Sequence, residues 1–175
     1  RAFGIYPADR VTPQLTKIIG DAITLGVHRT PVQDIEFSIR HLVEVAVRAL
    51  SPGINDPYTA VSAIHRLSAV WPDLMGRAVP QGVFPDDQGQ VRVICPVPTY
   101  ATLLNASFSQ IRQSGTEKPL ILIHLLKAFA AMAPCARTEE QRSALQDQVH
   151  AVLEDARRAI PNRADTRDVE QHSRL

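Results

Sequence analysis

Apolar positions recur at helical spacing through most of the chain and switch to alternation in one short stretch. After Thr12 and Pro13, the residues Leu15, Ile18, Ile19, Ala22 and Ile23 share one face of a helix that closes at Leu25–Gly26. Thr30, Pro31 and Gln33 open a longer helix, with a hydroxyl to accept an orphan N–H, proline at the first position and a capping-box glutamine. In it Ile35, Ile39, Leu42, Val43, Ala46, Ala49 and Leu50 fall on one side. Asp34, Ser38, His41, Glu44 and Arg48 fall on the other. Asp56 before Pro57 starts a third helix that runs to Val70, with Val61, Ile64 and Leu67 or Ser68 inward and His65 and Arg66 outward. Pro72 to Arg77 adds a further helical turn.

From Gly82 to Pro96 the period becomes two, and an Asp-Gly-rich turn between Val83–Phe84 and Val91–Cys95 predicts a β-hairpin. Such a hairpin is marginal alone, and the alternating Phe3, Ile5 and Tyr6 are a candidate third strand. Helical spacing returns over Tyr100–Gln113 and over Leu120–Ala133. The second of these is apolar nearly all round and reads as the central helix, with His124 and Lys127 marking its wet edge. Thr138 and Gln141 cap a last long helix, Glu139–Ile160, which Pro161 stops. The expected architecture is mainly α, a helical bundle of about six helices with one small β-hairpin. It forms a single helical domain over 1–161, followed by a polar tail, 162–175, expected to fray around Val169.

Composition narrows the function classes. Nineteen lysines and arginines against eighteen aspartates and glutamates leave no electrostatic footprint for nucleic acid. Aromatics are only 5% while alanine is plentiful, which suits closely packed helices. Cys95 and Cys135 are too few and too isolated for a disulfide framework and read as small core residues in a reducing compartment. The longest apolar run, Leu120–Ala133, is too short to span a bilayer. Beginning at Arg1 without methionine, the chain reads as a piece of a longer protein.

The densest polar chemistry lies where the long helix ends. Ser51-Pro52-Gly53-Ile54-Asn55-Asp56-Pro57 holds two prolines and a glycine, which restricts the backbone sharply. Two readings stand. The bend is a well-made helix–helix turn beside a solvated face laced with Arg40, Glu44 and Arg48 at i,i+4. Alternatively it is a preorganised ligand or partner site where Asp34, Arg48, Asn55 and Asp56 converge, with Ser51 and Thr59 in reach. Catalytic signatures are absent: there is no GxGxxG, phosphate loop, GxSxG, HExxH or CxxC. Asp34, His41 and Asp56 are the one group an enzyme could use on a small substrate. Asp34 and His41 are too far apart along one helix to chelate together, so neither a metal nor a cofactor is expected.

The run RTPVQDIEFSIRHLVEVAVRALSPGINDPYTA resembles the signature block of a bacterial family of predicted membrane proteins, domain of unknown function 2254. The matching positions include Arg29, Thr30, Gln33, Asp34, Phe37, Arg40, Arg48 to Ile54, Asn55 to Pro57, Thr59 and Ala60, and a looser likeness continues to about Arg158. Where the block would carry glycine, glutamine and aspartate, this chain has Ser38, His41 and Glu44. His41 therefore argues against a role needing that exact side chain. The resemblance implies transmembrane helices ahead of this region, a parent in the bacterial inner membrane and a soluble C-terminal part, which the reducing compartment expected for Cys95 and Cys135 would put on the cytoplasmic side. It implies no reaction, so whether the protein is an enzyme stays open. The expected partners are the membrane, through segments outside this chain, and a second copy in a homo-oligomer. The candidate ligand- or partner-binding set is Arg29, Gln33, Asp34, Arg40, Arg48, Ser51, Asn55, Asp56 and Thr59. A regulatory or assembly module is the leading reading; a small-substrate enzyme and a purely structural oligomerisation domain are the rivals.

Overall fold

A computed structural model describes residues 11–22, 35–78 and 82–173. Among them are eight α-helices and one two-stranded antiparallel sheet, so the chain is mainly α with a small hairpin. Where the sequence suggested one helical domain over 1–161, the residues fall into two compact units. One lies within 1–30 and 79–98, the other within 31–78 and 99–175.

In the first unit, α1 (Pro13–Ala22) opens with the Thr12 hydroxyl accepting from Leu15 N at 3.1 Å. Leu15, Ile18, Ile19 and Ala22 share a face as the spacing predicts, yet none of the helix's residues is buried and Ile18 is 64% exposed. Amphipathic spacing shows that a face is apolar, not that the described residues cover it. The hairpin pairs β1 (Val83–Pro85) with β2 (Val91–Ile94) in the register Val83↔Ile94 and Phe84↔Val93, with a bulge before Pro85. Asp86 organises its turn: one carboxylate oxygen accepts from the amides of Gln88 and Gln90, both at 2.9 Å, and the other from Arg92 Nε at 2.7 Å. Those bonds, the Gln90 amide first and Arg92 next, hold the Asp86 carboxyl below its ordinary range. Gly82, at φ +69°, accepts from Cys95 N at 2.7 Å, and a Cβ there would stand 2.2 Å from the Cys95 carbonyl oxygen. The third strand suggested for Phe3–Tyr6 lies outside the described residues.

The second unit is a helical bundle. Its elements are α2 (Ile35–Ala49), α3 (Pro57–Ala69), α4 (Trp71–Met75), α5 (Tyr100–Ser114), α6 (Pro119–Met132), α7 (Glu139–Ala159) and α8 (Arg163–Gln171). Helix α2 packs on α3 and α5, α3 on α6, α5 on α7, and α6 on α7 and α8. As its all-round apolarity predicts, α6 is central: Ile121, Leu122, Leu125, Leu126, Ala128, Phe129 and Met132 are buried. Phe129 meets Phe108 edge-on with ring centroids 5.2 Å apart, which adds about 1 kcal/mol beyond area burial. Ala46, Ala60 and Ala156 are wholly buried, so the abundant alanine does bring helix backbones close. Capping boxes at Thr99/Thr102 and Thr138/Gln141 start α5 and α7.

Three expectations are corrected. Ile35 stays 41% exposed, because the inward stripe of α2 begins only at Ile39. Cys95 and Cys135 are free thiols but half-buried, not core residues. The segment expected to fray contains α8: the Asn162 side chain accepts from Ala164 N at 2.9 Å, and Val169 is wholly buried. One apolar anchor suffices there because the elbow at Pro161 turns that face back onto α6 and α7.

Candidate functional site

The proline-stiffened bend is tied by its own backbone. Ser51 N donates to Arg48 O, Asn55 N to Ser51 O at 2.8 Å, and Asp56 N reaches back to Ala49 O at 2.8 Å. Asn55 adopts a left-handed backbone at φ +47°, a conformation its short polar side chain tolerates better than most. Asp56 then caps α3, with one oxygen accepting from Thr59 N at 3.1 Å and the other from the Thr59 hydroxyl at 2.6 Å. The Thr59 hydroxyl, followed by its amide, holds the Asp56 carboxyl below its ordinary range.

A cleft of about 470 Å³ opens between the end of α2 and this corner. His41, Glu44, Val45 and Arg48 form one wall; Ile54, Asp56 and Thr59 form the other. Val45 and Ile54 are 50% and 55% exposed, so the cleft is apolar at its lips. Arg48 and Glu44 pair along the α2 wall at 3.3 Å, and the His41 ring packs against Phe37 with centroids 4.5 Å apart.

The candidate site is therefore brought together only in part. Arg48, Asp56 and Thr59 share the cleft. Ser51 is spent on the end of α2, its hydroxyl donating to Arg48 O at 2.7 Å. Arg40 pairs with Glu36 at 3.9 Å, one turn back along α2. Asn55 faces elsewhere: its Oδ1 accepts from Lys118 Nζ at 2.7 Å in a separate hollow against the start of α6. The convergence of Asn55 with Arg48 and Asp56 is thus corrected, because the left-handed turn at Asn55 sends its side chain toward α6. Arg29, Gln33 and Asp34 lie outside the described residues. Of the trio an enzyme would use, His41 and Asp56 line the same cleft, but both Asp56 oxygens are engaged by Thr59. Among the described residues no three His, Cys, Asp or Glu side chains are placed to hold a metal ion.

Two polar groupings went unread in the sequence. Asp155 is buried on α7 and pairs with Arg112 of α5 and Arg158 of its own helix. Its position among Gln148, Val152 and Ala156 on the inner face was the available signal. His65 Nε2 and His124 Nδ1 meet at 3.2 Å between α3 and α6. Burial first, then the charges of His65 and Lys127, lower the His124 pKa from 6.5. Fifty-nine positions separate that pair, and no local pattern announces it.

The geometry defines a class: a helical bundle with a hydrogen-bonded corner beside an open, apolar-lipped cleft. The chain belongs to the family described as "Predicted membrane protein (DUF2254)", which matches residues 2–131. It is 40% identical over 143 residues to Uncharacterized protein Mb1321c of Mycobacterium bovis, and equally to Uncharacterized proteins MT1328 and Rv1290c of Mycobacterium tuberculosis. The match covers 82% of this chain and 27% of each relative, so the chain spans about a quarter of their length. No solved structure matches it. Among the described residues no helix is long and apolar enough to cross a membrane.

Proposed function

We propose that this chain is a cytoplasmic assembly module of its membrane protein, and that the cleft between α2 and the corner takes α2 of a second copy. One observation carries the reading: Val45 and Ile54 stand half exposed in the same cleft as the Glu44–Arg48 pair. Around a two-fold axis that surface is self-complementary, with apolar residues meeting apolar residues and Glu44 of each copy facing Arg48 of the other. Two unpaired thiols, Cys95 and Cys135, support a reducing compartment. The locked corner supports the reading too, because a fixed angle between α2 and α3 lets binding proceed without an ordering cost.

Sedimentation equilibrium tests it. The wild-type chain dimerises at micromolar concentration, and Val45→Arg abolishes the dimer while leaving the circular dichroism melt unchanged. Glu44→Arg and Arg48→Glu each weaken self-association, and mixing the two variants restores it. A wild-type chain that stays monomeric, or a Val45→Arg variant that dimerises normally, overturns the assignment.

A further inference from the structure

We propose that the elbow between α7 and α8 is a binding cleft for a phosphate-bearing group. The cleft measures about 600 Å³ and is lined by Arg157, Ile160, Pro161, Arg163, Thr166 and Arg167. Three guanidiniums line it, with the Glu170 carboxylate bonded to one of them, in a chain whose formal net charge is only +1.

The local charges are not settled internally. Arg157 Nε is met by Glu170 at 2.8 Å, but among the described residues neither Arg163 nor Arg167 has an ion-pair partner. At 100° per residue, Arg163 and Arg167 share one side of α8 with Glu170, which Arg157 engages, whereas Asp165 and Asp168 lie on the other. Asp168 instead sits 4.0 Å from His172. Like charges at i,i+4 repel, and Arg167 Nε only donates to the Arg163 carbonyl at 3.3 Å. Thr166 is occupied, its hydroxyl donating to Asn162 O at 3.2 Å. What remains is two unpaired planar cations beside a third, opening onto one hollow. Guanidinium forks match phosphate oxygens bidentately, so an anion of that chemistry would relieve the repulsion.

The cleft lies beyond residues 2–131 that match the family, and it is independent of the α2 surface. In a member of a membrane-protein family the phosphate can come from a lipid headgroup or from a free phosphate. Cosedimentation of the 175-residue chain with phosphatidylcholine vesicles, with and without phosphatidylglycerol, tests the first source; calorimetric titration with inorganic phosphate tests the second.

Arg163→Gln/Arg167→Gln alters two exposed side chains and leaves Val169 in place. It weakens anion binding about 30-fold, at roughly fivefold for each cation lost near an anionic surface. Arg142→Gln, which removes a cation elsewhere on α7, leaves binding within about twofold of wild type. Binding to phosphatidylglycerol vesicles alone assigns a headgroup, and binding to phosphate alone assigns a free anion. Binding to neither overturns the proposal, as does binding that survives the double substitution or falls equally with Arg142→Gln.

Discussion

Replacing Asp155 by alanine is the sharpest test of what holds the bundle together. The carboxylate is 5% exposed and sits between Arg112, at 16%, and Arg158, at 78%. Truncation leaves the Arg112 guanidinium with no acceptor in a site where its Nε already lacks a partner. Burial first, and then the charge of Arg158, already lower the Arg112 pKa, with Glu154 opposing them. An arginine nonetheless stays protonated. The variant therefore carries a buried, unpaired cation, and breaking such a pair costs about 3–5 kcal/mol. Against a typical domain stability of about 5–15 kcal/mol this is roughly a fifth or more. It corresponds to a fall in Tm of roughly 6–20 °C for a chain of this size.

Urea unfolding followed by tryptophan fluorescence reads the bundle selectively. The chain has one tryptophan, Trp71, and it is 1% exposed in the helical unit. The midpoint should fall with the slope unchanged. Arg158→Ala, which removes only the exposed partner, should cost about 1 kcal/mol or less. Asp155→Leu/Arg112→Met, which removes both charges, should recover most of the loss. The reasoning is refuted if Asp155→Ala lies within 1 kcal/mol of wild type, or if Arg158→Ala costs as much as Asp155→Ala.

Gln141→Leu should cost about 1–3 kcal/mol, because its Nε2 donates to Met75 O at 3.1 Å and its Oε1 accepts from Arg137 N at 2.7 Å; the same unfolding curve measures it. His124 predicts a pH dependence. Its folded pKa lies below the unfolded 6.5, so between those values the unfolded chain binds more protons. That contribution is complete above pH 6.5 and declines as pH falls toward the folded value. Urea midpoints across that range should drop with acidity, and His124→Gln should flatten the slope. Gly82→Ala should open the hairpin, since the Cβ would meet the Cys95 carbonyl oxygen at 2.2 Å. Hydrogen exchange would show faster exchange at Cys95 N than at the amides of α6.

Helix boundaries were the most legible part of the fold because they are written in caps. Asp56 before Pro57, and Thr138 with Gln141, start α3 and α7 where their side chains bond in the structure. The reading lost accuracy where packing partners decide the outcome. Spacing alone put Ile35 on the inward side of α2, and it is exposed. Polarity alone made Arg163–Gln171 a tail, although Asn162 and Val169 carried the cap and the anchor. In the site, Arg48, Asp56 and Thr59 proved to be neighbours because they lie within one bend. Asn55 did not join them, since the sign of one φ angle sets which hollow it faces. The His65–His124 contact needed the α3–α6 packing itself.

The corner's chemistry is mostly consumed in making the corner, and this bears on what such a block is for. Ser51, Asn55, Asp56 and Thr59 each bond within the chain, to Arg48 O, Lys118, Thr59 and Asp56 respectively. A group whose acceptors are already filled is poorly suited to hold a ligand, but well suited to fix two helices at one angle. The side chains left over are on the outer face of α2 and its lip: Val45, Ile54 and the weakly bonded Glu44–Arg48 pair. On the assembly reading proposed above, rigidity belongs to one set of residues and recognition to another. Substitution at Asn55 should act on stability and substitution at Val45 on association, and the separation of those two effects is what a built docking face requires.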